Sequence, residues 1–287
     1  MRAEQVTDPV TWHGEGPFWD DVGQRMLVVD MLAGAVVDVT SPGAPERFDV
    51  GSRVAAVVRG RVCGGFIVAT EHGFSLFDER FSIERRLPDV LHEPAIRFNE
   101  GGCDPHGRFY CGTMADDATP AAASVYRLGP DGAATTVLDA VTISNGLQWS
   151  GDGSLAYYID SPTRRVDVFD VDEADGSFHN RRPFVTFGDD VDGDPDGMTI
   201  DAEGALWVAV WGGGAVRRYD ADSTLTEVVD VPGVTHTSAA AFGGAQLDTL
   251  YITSSRQHLP EDAEPQAGAV FAVRPGVRGT VLPRYAG

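Results

Sequence analysis

The chain has 287 residues, 43% of them hydrophobic, with 43 acidic side chains against 22 cationic ones and a formal net charge of -21. Every one of the 22 cations is an arginine. A field of that sign repels phosphate, which excludes nucleic acid and anionic membrane surfaces as partners, and it favours a bound cation. The 34 Gly and 17 Pro, with no long helix-favouring run, suit many short strands joined by turns, in one large domain or two small ones. Met1 to Val10 has no apolar signal core, and no apolar run approaches the ~20 residues of a membrane span. A soluble, cytoplasmic protein is expected, a monomer or weak homo-oligomer. Cys63, Cys103 and Cys111 lack Cys-x-x-Cys spacing, so small buried hydrophobes are expected rather than disulfides or structural zinc.

The first unit runs from Gly14-Glu15-Gly16 through the turn Asp20-Asp21-Val22-Gly23 to the apolar stretch Met26-Leu27-Val28-Val29. A degenerate second unit covers Arg59 to Thr70. The third holds Arg97 and Asn99, the turn Asp104-Pro105-His106-Gly107 and the strand Phe109-Tyr110-Cys111. Asp first, Pro second and Gly fourth are the residues such a turn favours. The fourth pairs Ser150-Gly151-Asp152-Gly153 with Leu155 to Ile159, and the fifth Asp201-Ala202-Glu203-Gly204 with Leu206 to Val210. The sixth follows Phe242-Gly243-Gly244 with Thr249 to Thr253. Turn glycines 84, 46 and 51 residues apart place the degenerate unit in the longest gap. Third strands recur as well, from Val36-Val37-Asp38-Val39 to Val270-Phe271-Ala272-Val273. Six short-strand meanders of this length predict an all-β, six-bladed β-propeller. Its four-stranded antiparallel blades surround a central channel in a single domain, 1–287. Segments 188–195 and 256–266 read as loops. A parallel α/β sheet would need amphipathic helices that are missing.

Glu15, Asn99, Asn145 and Asp196 each stand 8 residues before a turn glycine, Gly23, Gly107, Gly153 and Gly204. Equivalent positions of a closed propeller share one height around one axis, so these side chains should converge at the channel mouth. Asn-Gly and Asp-Gly are common turn dipeptides. Here, however, each unit already has its turn one strand later, and Glu is no turn former. Glu15, Asn145 and Asp196 are hard oxygen donors with at most two negative charges. They suit one Ca²⁺, Zn²⁺, Mg²⁺ or Mn²⁺ with open positions for water or substrate.

Gly14-Glu15-Gly16-Pro17, Arg97-Phe98-Asn99-Glu100-Gly101, Gly112-Thr113-Met114, Ile143-Ser144-Asn145-Gly146-Leu147, Tyr158-Ile159-Asp160-Ser161 and Pro195-Asp196-Gly197-Met198 stand in this order. Together they resemble the gluconolactonase / senescence-marker-protein (regucalcin) family over about Gly14 to Gly287. The resemblance implies a six-bladed propeller that binds one divalent cation and hydrolyses sugar lactones. Carried over residue by residue, it implies Glu15, Asn145 and Asp196 as metal ligands, and Arg97 and Asn99 as substrate contacts. Asp117 stands where the family has a substrate-facing Glu, and Glu100 where it usually has Asp. Both departures bear on the pocket's shape and hence on the sugar.

The expected chemistry is metal-assisted opening of a small-molecule sugar lactone, with Asp196 as general base and Arg97, Asn99 and Asp117 on the sugar hydroxyls. Two alternatives stay open: an esterase or organophosphate hydrolase using the same cation, and a non-catalytic calcium-binding propeller. The five tryptophans read mostly as blade core, one of them able to stack on a sugar near the mouth. His13, His236 and His258 share no metal spacing, and Asp160-Ser161 reads as a strand cap.

Overall fold

The computed structural model describes residues 1–41, 43 and 45–287. It forms six four-stranded antiparallel sheets arranged as the blades of a propeller. Blades 1 to 5 are consecutive meanders whose first strands are Gly14–Asp20, Ala55–Gly60, Ile96–Cys103, Ser144–Trp149 and Asp194–Ile200. Blade 6 is assembled from both ends of the chain. Thr237–Gly243, Thr249–Ser254 and Phe271–Val273 supply three strands, and Glu4–Gln5 pairs antiparallel with the last of them. The N-terminal segment, read from sequence only for what it lacks, therefore closes the ring. First strands of neighbouring blades pack against one another around the axis, including those of blades 1 and 6.

The first strands are buried along almost their whole length, while the fourth strands are largely exposed. This gradient explains why apolar runs mark the inner strands and polar ones the rim. Core residues pack between adjacent blades, as with Phe74, Phe98 and Phe109 between blades 2 and 3.

The repeated turns form as their residues dictate. Gly107 N–H donates to Asp104 O at 3.0 Å, Gly153 to Ser150 O at 2.8 Å and Gly204 to Asp201 O at 3.0 Å. All three glycines have positive φ. In blade 1 the left-handed residue is Gln24 instead of Gly23. Asp201 adds a cap: Oδ1 accepts from the Glu203 and Ala205 amides, and Oδ2 from Trp207 Nε1 and Arg218 Nε. Segment 256–266 is irregular as expected, but Asp194 and Pro195 already belong to the first strand of blade 5. Cys103 and Cys111 are buried free thiols, and Cys63 is exposed.

All six first strands share one irregularity. Pairing with the second strand slips between Glu15 and Phe18, Ala55 and Val57, Phe98 and Gly101, Ser144 and Leu147, Pro195 and Met198, and Thr237 and Ala240. A bulge takes its residues out of the ladder and re-aims their side chains. Asn99, Asn145 and Asp196 lie inside these bulges, and Glu15 at the edge of one. The glycines beside them admit the next blade: a Cβ on Gly197 would lie 2.5 Å from Ala239 Cβ and 2.8 Å from Ser238 O. Gly197→Ala is therefore expected to lower stability by about 1–3 kcal/mol through overpacking against backbone. Equilibrium denaturant unfolding measures it, and an unchanged midpoint would contradict the close packing.

Candidate active site

The bulges open onto a cavity of about 250 Å³ at the axis. Glu15, Asn145 and Asp196 line it together with Arg97 and Asn99. The four positions sharing one phase in the sequence are thus gathered in one place.

Glu15, Asp196 and Glu100 are only 4%, 5% and 6% exposed. Glu15 Oε2 accepts one long hydrogen bond, 3.4 Å from the Gly16 amide. Glu100 Oε2 is enclosed with no partner. Burial holds the Glu15 carboxyl well above the usual carboxylate range, and the charges of Asp196 and Glu100 push the same way. Asp196 is likewise raised, by burial and then by Glu100 and Asp194. Burial lifts Glu100 to about 7 against the opposing pull of Arg59.

The amides are oriented by a chain of donors. Arg97 Nη1 donates to Asn99 Oδ1 at 2.8 Å, and Asn99 Nδ2 donates to Asn145 Oδ1 and Ser144 O, both at 2.9 Å. Asn145 Nδ2 donates to Ser161 Oγ at 2.7 Å, and Ser161 Oγ donates to Pro195 O at 2.6 Å. Asn145 is thereby held with its nitrogen on Ser161 and its oxygen on Asn99. Arg97 is otherwise spent within the protein. Nη1 also meets Phe98 O at 3.1 Å, Nη2 lies 3.1 Å from Met114 Sδ, and Nε stands 3.7 Å from Asp116.

Asp117 is placed elsewhere. The second strand of blade 3 ends at Ala115, and Ala118, with positive φ, bonds back to Ala115 O. The turn sends Asp117 to solvent, where Oδ1 accepts from Thr119 N–H at 3.0 Å and Thr119 Oγ1 at 2.7 Å. Those bonds hold its carboxyl below the usual range. The carboxylate on the Arg97 side is that of Asp116.

Sequence reasoning did not assign Ser161, His13, Trp211, Asp194 or His258, all of which line the cavity. Ser161 was readable in principle: its neighbour Asp160 pairs with Ser144, directly before Asn145. Asp160 is the strand cap expected, accepting the Thr142 and Ile143 amides. Burial lowers His13 to about 3, with Arg97, His258 and His236 adding to it. Trp211 stacks on His236 at 4.2 Å and meets His13 edge-on at 5.9 Å. Trp12, by contrast, is exposed rather than blade core.

Among the described residues no three His, Cys, Asp or Glu side chains form a metal cluster. The set here is two carboxylates and one amide oxygen. Two buried carboxyls without a cationic partner, beside an amide oxygen, fit a hard cation, which would favour the ionised forms that burial disfavours.

The SMP-30/Gluconolactonase/LRE-like region model matches residues 13–256. A Bacillus subtilis (strain 168) protein named for sugar lactone lactonase activity is 34% identical over 281 residues, 96% of this chain and 95% of that one. Xenopus laevis regucalcin is 35% identical over 300 residues, covering 100% and 99%. The structure of a calcium-binding protein, regucalcin, from Agrobacterium tumefaciens str. C58 superposes with TM-score 0.88 at 28% identity, covering 96% and 95%. No helix of the described residues is long and apolar enough to cross a membrane.

The raised carboxyls make metal-free stability depend on pH. A carboxyl whose pKa rises on folding binds more protons folded than unfolded between the two values, so stability falls as pH climbs through that window. For Glu100 the window runs from 4.5 to about 7, and Glu15 and Asp196 act with the same sign. Metal-free protein is expected to lose stability from pH 5 to pH 8, and Glu100→Gln to remove about 1–3 kcal/mol of that loss. Thermal unfolding in chelator across pH measures this. A metal-free protein that gains stability over the interval would contradict it.

Proposed function

The chain belongs to the SMP-30/gluconolactonase/LRE-like family, and from that premise we propose that it hydrolyses neutral sugar lactones with a divalent cation held by Glu15, Asn145 and Asp196. One observation carries the reading: two buried carboxyls without a cationic hydrogen-bond partner and an amide held by Asn99 line the same cavity. The names of relatives, a sugar lactone lactonase and a calcium-binding regucalcin, point the same way. Ca²⁺, Zn²⁺, Mg²⁺ and Mn²⁺ all accept such donors. When bound, the cation supplies Lewis-acid polarisation of the acyl oxygen and charge balance for the carboxylates.

The chain's own groups do the rest. Asn99 and Arg97 line the cavity with Glu15 and Asp196 and border the bound sugar. Asp196 takes the proton of the attacking water at its carboxylate. The water oxygen bonds to the acyl carbon, the ring C–O bond breaks, and the proton ends on the released hydroxyl, giving the open acid. Arg97 is occupied by Asn99, Phe98 O and Asp116, and Glu15, Asp194 and Asp196 line the same cavity. That charge balance favours an uncharged lactone over a phosphorylated or carboxylated one. Asp117 would reach a sugar only if its turn opened, so Asp116 is the acidic side chain assigned to that edge.

Lactone opening is followed by proton release with Mn²⁺, Zn²⁺, Mg²⁺ or Ca²⁺ added to metal-free enzyme. Asp196→Ala is expected to lower kcat/KM by roughly 100-fold or more, losing base and ligand together. Full activity in Asp196→Ala, equal activity in chelator, or cation binding without turnover would sink the reading.

A further inference from the structure

His13 brings to the cavity a polar group that the chemistry above does not use. Its main chain is pinned. The amide donates to Asp30 Oδ1 at 3.0 Å, the carbonyl accepts from Met31 N–H at 2.9 Å, and the residue bridges antiparallel to Ser255. This is the seam where blade 1 meets blade 6.

The ring is fixed as firmly. Nδ1 lies 2.7 Å from Ser255 Oγ, and that oxygen already accepts the Gln257 amide at 3.0 Å. Among the described residues the Ser255 hydroxyl has no other acceptor, so its proton points at Nδ1. An imidazole that accepts at Nδ1 carries its hydrogen on Nε2. Among the described residues Nε2 has no protein partner and is not sealed off, and His13 lines the cavity. The edge-on contact with Trp211, itself backed by His236, prevents the imidazole from turning away.

The outcome is a fixed donor on a cavity that Glu15, Asp194, Asp196, Arg97 and His258 also line. A donor so placed, with no protein acceptor of its own, is free to meet a hydroxyl oxygen. We propose that His13 Nε2–H donates to a hydroxyl oxygen of the bound substrate, so that His13 selects hydroxylated lactones over bare ones. This rests on the lactone reading of the cavity and names the part of the substrate that one wall recognises.

The test compares glucono-δ-lactone with δ-valerolactone, which has no hydroxyls, in wild type, His13→Phe and His13→Gln. His13→Phe is expected to lose roughly 10- to 100-fold in kcat/KM on the hydroxylated lactone and less than about threefold on the bare one. His13→Gln, which keeps an amide donor near the Nε2 position, should retain most of the preference. Equal losses on both lactones, or no loss on either, overturn the proposal. Nitrogen NMR adds a readout that a packing role would not move: a neutral ring protonated at Nδ1 in the free enzyme also overturns it. Should neither lactone turn over in wild type, the lactone reading fails separately. Binding of myo-inositol, a ring polyol with no acyl group, then decides: weakening in His13→Phe supports the donor, and unchanged binding refutes it.

Discussion

Three buried carboxyl groups, those of Glu15, Glu100 and Asp196, with no basic side chain bonded to them among the described residues, are the constraint on which the centre of this molecule depends. Arg59 and Arg97 are both buried nearby, but each spends its donors on the protein. Arg59 bonds Val58 O and Gly101 O at 2.8 Å, and Arg97 is taken by Asn99 and Phe98 O. An unpaired carboxylate in such a place is costly, so burial favours the protonated form of the group. Burial therefore raises the carboxyls of Glu15, Glu100 and Asp196 above their usual range. A divalent cation bound there, as proposed, would displace protons from these groups and so tie folding, pH and ligation to the same few side chains.

The backbone makes this arrangement repeatable. One bulge at one phase recurs in all six first strands, so the scaffold offers six equivalent positions and the sequence fills them unequally. Blades 1, 3, 4 and 5 place Glu15, Asn99, Asn145 and Asp196 there. Blade 2 has only Ala56 in its bulge. In blade 6, Ser238 Oγ bonds Gly14 O and serves the seam between blades. A sixfold fold thus yields a one-sided cavity. The chain from Arg97 through Asn99, Asn145 and Ser161 to Pro195 O runs across three blades, so the orientation of one amide depends on the packing of its neighbours.

What could be read from sequence follows from the range of each interaction. The Asp–x–x–Gly turns are local, and their spacing led directly to six meanders. The 8-residue offset worked because one strand separates the bulge from the turn in each blade. Features built from distant segments stayed hidden. Glu4–Gln5 completing blade 6 joins residues more than 260 positions apart, and no local pattern in Met1 to Val10 announces it. His13 and Ser255 meet only because the ring closes. His258 reaches the cavity from a left-handed backbone position that a histidine does not advertise. Asp117 failed to reach the cavity for a local reason: Thr119 two residues on captures its carboxylate in a turn, leaving Asp116 beside Arg97.

The most direct test of the central claim is calorimetric titration of the metal-free protein with Mn²⁺ and Ca²⁺ near neutral pH, in two buffers of different ionisation enthalpy. One cation per chain, taken up with release of protons from the buried carboxyls and weakened by Asp196→Asn, is the expected result. Uptake without proton release, or uptake indifferent to Asp196→Asn, would place the cation elsewhere and contradict a centre built on Glu15, Asn145 and Asp196.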